Sequence, residues 1–379
     1  MRTGSLSIGR AAYQSIFRWI SIEKSRPWTA RSFLSSGRLS PVFQNFKGKS
    51  MRIAKALFMG LVFGAAPLLH AQAPASKIAG PVSLVVPYPA GGASDFTARL
   101  FAEPLHRELG ATVVVENIGG ATGAIAAQKM LNAPANGQML YQGSQNELIL
   151  PPLTMQGIRY DVSDFEIVHP VTTTRLVLVV RKGLPVKNLD EFIRLMRSRS
   201  HSEPITCGIP GVGSLYHLIP GSMAKKADAQ LNFIPYKGSA PIVQDILGDR
   251  IDFTIMAFST SMLQFDKEGR YRIIANLSQD KPKELAHLPS LAERSVFKDM
   301  DYASNAAYYV KKGTPLAVRQ ALNAAIGNIV ESPAVIQGLE GDGRRVWQRM
   351  SLSEAEDFYA KEIEKYRGMV RLTGFKPAD

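Results

Sequence analysis

The fold is decided by residues 82–95, which read VSLVVPYPAGGASD. The apolar start predicts a buried strand, and loop 1 (residues 88–95) leads from that strand into an amphipathic helix. Glycine allows positive φ and a close approach of a ligand to the backbone, while a helix start offers unpaired N–H groups and a partial positive charge. Loop 1 is therefore predicted to bind an anion, and a carboxylate is the simplest one.

The same order of strand, glycine turn and helix occurs twice more. Residues 112–123 read TVVVENIGGATG and contain loop 2 (residues 117–123), and residues 205–214 read ITCGIPGVGS and contain loop 3 (residues 209–214). With a strand at 139–142, the first two units form a βαβαβ series, which is typical of a parallel sheet with helices on its faces. Because ligands in this architecture bind beyond the carboxyl ends of the strands, loops 1 and 2 are expected to lie side by side around a ligand.

The remainder of the chain continues this α/β pattern. Further strands are predicted at 167–171, 176–181, 205–208, 231–235, 251–256, 272–276 and 307–310. Further helices are predicted at 95–109 with Ser94 as N-cap, at 124–131, at 188–199, from Ser214 onward, at 241–247, from Pro315 onward, and at 353–367 with Ser351 or Ser353 as cap.

The net charge of +13 is concentrated at the start of the chain, where residues 1–50 contain nine basic residues and one acidic residue. The region from residue 74 onward is nearly neutral and has no basic stripe, which argues against nucleic-acid binding. Residues 51–73 have a basic start, a short apolar core and an Ala71-Gln72-Ala73 cleavage pattern, and they predict a secretory signal peptide rather than an uncleaved anchor. For residues 1–50 we weigh an organellar transit peptide against an over-extended start, and we favour Met51 as the initiator.

The sequence contains no motif for a cofactor. Neither glycine loop has the G-x-G-x-x-G spacing, a phosphate-binding P-loop motif is absent, and the histidines lack metal-ligand spacing. Cys207 is the single cysteine and is predicted to be a small buried hydrophobic residue. Ser214 and His217 are spaced to share a helix face, but G-x-S-x-G is absent, so a ligand hydrogen bond from Ser214 is favoured over catalysis. The prediction is a protein with no catalytic residues, metal or cofactor.

These residues resemble the Bug family, the periplasmic solute receptors of tripartite tricarboxylate transporters. The resemblance covers most of residues 81–379. It rests on the loop 1 stretch, on Val115-Glu116-Asn117 with Gly120-Ala121-Thr122-Gly123, on Gly211-Val212-Gly213-Ser214 with His217-Leu218, on Pro235-Tyr236-Lys237-Gly238, and on later landmarks at 288–293 and 312–315.

The resemblance implies a type II periplasmic-binding ("Venus flytrap") fold, with a hinge between two sheets that carry helices on both faces. Lobe 1 would contain residues 74–178 and 299–379, and lobe 2 would contain residues 179–298. Loops 1 and 2 would grip one ligand carboxylate. The ligand-binding residues it implies are Tyr88, Ala90, Gly91, Gly92, Ala121 and Thr122 of the grip, Ser144 and Gln145 beside it, and Ser214 and His217 of lobe 2. Asp95 is also a candidate, and we expect it to brace loop 1 because its charge would repel an anion.

The chain departs from the family pattern at three places. In loop 2, Gly119 stands where proline is frequent, and Thr122 stands where glycine is common and adds a hydroxyl. Asn136 replaces the aspartate that is usual in a turn, and residues 257–260 lack the acidic residue that can pair with the ammonium group of amino-acid ligands. The third departure favours an organic acid without an amino group, with an apolar or aromatic part against Phe258.

The expected function is a periplasmic receptor that delivers a small di- or tricarboxylate or aromatic acid to the permease subunits of a transporter. The alternatives are an extracytoplasmic sensor for a membrane kinase and a Ser/His hydrolase.

Overall fold

The computed structural model describes residues 78–199 and 202–377. The predicted leader at 1–50 and the predicted signal peptide at 51–73 lie outside the described residues. Within the described residues, no helix has the length and apolar character needed to cross a membrane.

The strands of the described residues form a ten-stranded sheet. They are β1 (Val82–Val86), β2 (Val113–Asn117), β3 (Met139–Gly143), β4 (Phe165–Arg181), β5 (Thr206–Ile209), β6 (Asn232–Pro235), β7 (Phe253–Ala257), β8 (Tyr271–Asn276), β9 (Ala303–Lys311) and β10 (Arg345–Val346).

Helices flank these strands throughout the described residues. They are α1 (Ala93–Leu109), α2 (Ala124–Asn132), α3 (Gln145–Leu148), α4 (Pro151–Thr154), α5 (Leu189–Ser198), α6 (Leu215–Ala227), α7 (Ser239–Leu247), α8 (Met262–Lys267), α9 (Leu316–Val330), α10 (Pro333–Glu340) and α11 (Leu352–Thr373). One of the short 3₁₀ turns, Ala121–Gly123, forms the end of loop 2.

The sheet order is β2-β1-β3-β9-β4-β7-β5-β6, and β8 and β10 also pair with β4. β1 runs parallel to β2 and to β3, which confirms the predicted βαβαβ series. β5 runs parallel to β6 and to β7. The carboxyl ends of β1, β2 and β3 therefore meet at one edge, where loops 1 and 2 emerge together.

β4 is one continuous strand of 17 residues, so the prediction of two strands at 167–171 and 176–181 was wrong. The polar run from Thr172 to Arg175 interrupts the hydrophobic pattern, but its backbone stays paired with β9. From Leu176 onward β4 pairs with β7 and β8 instead. One strand thus connects two groups of strands.

α1 begins at Ala93 with Gly92 at its N-cap, so the prediction of Ser94 as N-cap was wrong. Phe101 and Leu105 of α1 are fully buried with β1 residues such as Leu84 in one apolar core. Burying a side chain of this size stabilises the fold by about 1.5–3 kcal/mol. This packing fixes the start of α1 relative to loop 1. Cys207 is also fully buried, as predicted.

Candidate functional site

A cleft of about 800 Å³ opens where the three loops meet. Its wall is formed by residues 88–94 of loop 1 and the start of α1, by Thr122 of loop 2, and by residues 210–214 of loop 3. Parts of β3, β4 and β9 also line it, together with residues 142–144, Asn146, Glu147, Gly238 and Ser239. The structure thus brings together the loops that the sequence marked as ligand-binding.

The first turns of three helices contribute to this wall. α1, α6 and α7 have Gly92, Ser214 and Gly238 at their N-caps, and none of these N-cap residues accepts a hydrogen bond with its own side chain. In α6, the first N–H, that of Leu215, donates to Oδ1 of Asn146 at 3.3 Å. The N-cap residues themselves line the cleft. Unpaired N–H groups and the positive end of the helix dipole make such a start attractive to an anion. The cleft is therefore polarised for a negatively charged ligand.

Loop 1 is held from behind by Asp95. Its Oδ2 accepts hydrogen bonds from the backbone N–H of Gly91 and from Nε of Arg99, each at 2.9 Å. The hydrogen bond from Arg99, followed by that from Gly91, lowers the pKa of Asp95 to about 2. Asp95 is buried and is not part of the cleft lining. With these contacts Asp95 braces loop 1, as we expected from the sequence.

Loop 2 has an unusual backbone. Ala121 and Thr122 adopt positive φ values of 44° and 51°, which side-chain-bearing residues seldom do. Such conformations cost free energy and persist only where the surroundings impose them. A Cβ at the adjoining Gly123 would lie 2.8 Å from Cγ of Glu147, so the loop also approaches the segment after β3 closely.

Glu147 joins several parts of the wall and was missed by the sequence interpretation. Its Oε1 accepts a hydrogen bond from the Tyr88 hydroxyl, and its Oε2 accepts bonds from the N–H and Oγ of Ser144 at 2.6 and 2.7 Å. Burial raises the pKa of Glu147, although the hydrogen bonds from Tyr88 and Ser144 oppose that shift. The spacing of Ser144 and Glu147 matches a capping box, and this motif could have identified the pair.

On the loop 3 side, Ser214 lines the cleft and His217 does not. The Ser214 hydroxyl donates to the carbonyl of Gly211 at 2.7 Å, and Nδ1 of His217 accepts from the N–H of Gly213 at 3.1 Å. The imidazole packs edge-on against the ring of Phe233 at 4.5 Å, and burial lowers its pKa. These contacts orient loop 3 and do not join Ser214 to His217 as a nucleophile and base.

The structure separates the candidate residues into two groups. Those that line the cleft are Tyr88, Ala90, Gly91, Gly92, Thr122, Ser144 and Ser214. Those placed outside its lining are Asp95, Ala121, Gln145, His217 and Phe258.

Two members of the second group have clear packing roles. Gln145 is buried and exchanges hydrogen bonds of 3.3 Å with the backbone of Ala303 and Asn305. Phe258 is buried, and its ring packs so closely on Gly343 that a Cβ added at Gly343 would lie 2.9 Å from it. The structure thus offers no place in this wall for an apolar ligand part against Phe258.

Arg344 is a second residue that the sequence interpretation missed. It precedes β10 and lines the cleft with a side chain that is only 7% exposed. Nη1 donates to Oγ1 of Thr97 at 2.7 Å and to the carbonyl of Ala93 at 3.3 Å. No local motif marks this arginine.

Comparison with known proteins identifies the family. Residues 97–375 match the model of the tripartite tricarboxylate transporter family receptor. The chain belongs to this family. Protein BugT of Bordetella pertussis is 31% identical over 300 residues, which cover 79% of this chain and 90% of BugT.

Two solved structures illustrate the fold. Rpa4515 of R. palustris, solved with adipate, is 26% identical and has a TM-score of 0.67, covering 79% of this chain and 99% of that protein. The periplasmic binding protein BugD is 24% identical with a TM-score of 0.65, covering 79% and 99%. The family receptor therefore has the predicted two-lobed type II periplasmic-binding fold, and both the predicted family and fold class are confirmed.

Proposed function

We propose that this family receptor captures a small organic acid in the periplasm by gripping a carboxylate between loop 1 and loop 2. The observation that carries the proposal is that the N-cap residues of α1, α6 and α7, none of which caps its helix with its own side chain, lie around one cleft. Thr122 and Ser214 add hydroxyl groups to the same wall. Membership of the family and the adipate in the related Rpa4515 structure support a carboxylate as the ligand.

In this proposal the protein binds and releases its ligand unchanged. A ligand that contacts both loop 1 and loop 3 favours the closed arrangement of the proposed lobes, since only that arrangement makes both sets of contacts. The loaded receptor then docks on the permease subunits of a tripartite transporter. The predicted signal peptide at 51–73 is consistent with this location.

A thermal-shift screen of the purified protein against mono-, di- and tricarboxylates tests the proposal. A ligand at 100 times its Kd stabilises the folded state by about 2.7 kcal/mol, which gives a measurable rise in Tm. Absence of a shift with every organic acid would overturn carboxylate capture. Uptake of the labelled hit by cells with and without the gene then tests delivery to a transporter, and unchanged uptake would contradict that part.

A further inference from the structure

The cleft contains one cationic side chain among the described residues that line it, and that side chain is Arg344. The carboxyl group in the same lining is Glu147, which is already engaged by Tyr88 and Ser144. The ion-pair partner of Arg344 is Asp342, with 3.4 Å between Nη2 and Oδ2, and the Asp342 side chain is 51% exposed. The positive charge in the cleft is thus balanced by a half-exposed acid, and Cζ of Arg344 also lies 5.6 Å from the centroid of the Phe96 ring.

The hydrogen bonding of Arg344 is also incomplete. Nη1 is occupied by Thr97 and Ala93, but Nε is buried and has no hydrogen-bond partner among the described residues. Burial lowers the pKa of this guanidinium, and Asp342 offsets that shift only in part. An arginine nevertheless remains charged at any physiological pH. A buried guanidinium with this balance of contacts is suited to receiving an anion from the cleft.

Arg344 approaches the cleft from a different side than loop 2. In this half of the sheet the order is β2-β1-β3-β9-β4. β10 pairs with β4 on the side opposite β9. Loop 2 follows β2, whereas Arg344 directly precedes β10. Because neighbouring strands lie about 4.8 Å apart, five spacings place the backbone of β10 roughly 24 Å from that of β2 along the sheet. The side chain of Arg344 reaches back to the first turn of α1, so the cleft offers a guanidinium in addition to the backbone of loops 1 and 2.

We propose that Arg344 forms an ion pair with a second carboxylate of the ligand and thereby selects dicarboxylates over monocarboxylates. This inference rests on the proposed function, in which loops 1 and 2 hold the first carboxylate. A monocarboxylate satisfies only the loops and gives Arg344 no ion pair beyond its contact with Asp342. A dicarboxylate of suitable length satisfies both positions.

Isothermal titration calorimetry with matched pairs of acids tests this role. The pairs are succinate and butyrate, glutarate and pentanoate, and adipate and hexanoate, each titrated into wild-type protein and into Arg344→Gln. We expect the best wild-type dicarboxylate to bind about 10- to 100-fold more tightly than its monocarboxylate partner, as loss of a charge-assisted hydrogen bond would imply. In Arg344→Gln this ratio should fall to near one, with monocarboxylate affinity almost unchanged.

Two further variants separate charge from packing. Arg344→Lys restores the charge and should retain more of the dicarboxylate preference than Arg344→Gln. Arg345→Gln is the matched control, because Arg345 is half exposed, pairs with Asp280 and is not part of the cleft lining. It should retain the full wild-type ratio. In Arg344→Gln, the glutamine side chain keeps an amide donor for Thr97, which helps that variant to fold.

The outcomes distinguish this inference from the proposed function. If wild-type protein binds neither class of acid, the proposed function itself is overturned. If it binds both classes equally, or if Arg344→Gln preserves the ratio, carboxylate capture stands and the role of Arg344 is overturned. An equal loss of affinity for both classes in Arg344→Gln would also overturn it, because Arg344 would then not act on a second carboxylate.

Discussion

At the scale of single residues, two glutamates occupy the same motif with opposite electrostatic consequences. Glu147 and Glu354 each close a capping box, with Ser144 and Ser351 respectively. Burial raises the pKa of Glu147 in the cleft wall. The exposed Glu354 keeps its hydrogen bonds to the backbone and side chain of Ser351, which lower its pKa. The surroundings, not the motif, decide the sign of the shift.

This difference predicts opposite pH dependences for Glu147→Gln and Glu354→Gln. A raised folded-state pKa gives stability that is present below the unfolded pKa and is lost as pH rises. The stability of Glu147→Gln relative to wild type should therefore increase as pH rises from about 4 to 8. A lowered folded-state pKa gives wild-type protein stability that is lost as pH falls. The stability of Glu354→Gln relative to wild type should therefore decrease as pH rises through the lower part of that interval. Thermal denaturation of the three proteins at stepped pH measures both trends. Parallel trends in the two variants would contradict the assignment.

The resemblance to the family pointed to Tyr88, Gly91, Gly92, Thr122 and Ser214, which line the cleft, and each of them follows a strand within a short local pattern. Arg344 lies far along the chain from its partners, and its position beside Thr97 depends on the pairing of β10 with β4. A strand of two residues, Arg345–Val346, is too short to show a hydrophobic period. This part of the wall is produced by tertiary packing, which a local pattern does not encode.

At the scale of elements, loop 2 concentrates backbone strain beside the ligand. Ala121 and Thr122 are consecutive residues with positive φ, but only Thr122 lines the cleft. Each costs about 1–2 kcal/mol relative to an ordinary conformation. Glycine would relieve this cost, and the family pattern often has glycine at the position of Thr122. The threonine is therefore expected to serve ligand binding rather than stability.

Replacing each residue with glycine separates these effects. Thr122→Gly and Ala121→Gly should both leave the free energy of unfolding unchanged or raise it by up to about 1 kcal/mol, because strain relief exceeds the entropy that glycine adds to the unfolded chain. Only Thr122→Gly should also weaken carboxylate binding, by about 3- to 10-fold for one lost hydrogen bond. Chemical denaturation and calorimetry measure the two quantities. Equal weakening by Ala121→Gly would show that loop stiffness, not the hydroxyl, matters.

At the scale of the whole molecule, β4 and the segment after β8 connect the two groups of strands. Asp280 in that segment accepts hydrogen bonds from Arg175 of β4 at 3.0 Å and from Arg345 of β10 at 2.8 Å. Near the other end of the chain, Phe375 lies 5.5 Å from the ring of His217 on α6. The periodic patterns of the sequence predicted the helices and strands, but they could not predict such contacts between remote segments.

Closure of the proposed lobes predicts a specific pattern of hydrogen exchange. A saturating carboxylate should slow amide exchange in loop 1 and in residues 211–216 together, because a ligand in the closed cleft shields both. The turn at residues 135–137 lies outside the cleft lining and is the internal control, with little change expected. Mass spectrometry of the wild-type protein with and without ligand measures all three segments. Protection of loop 1 alone would mean that the ligand binds to one lobe without closure, since an open receptor leaves the 211–216 amides in contact with solvent.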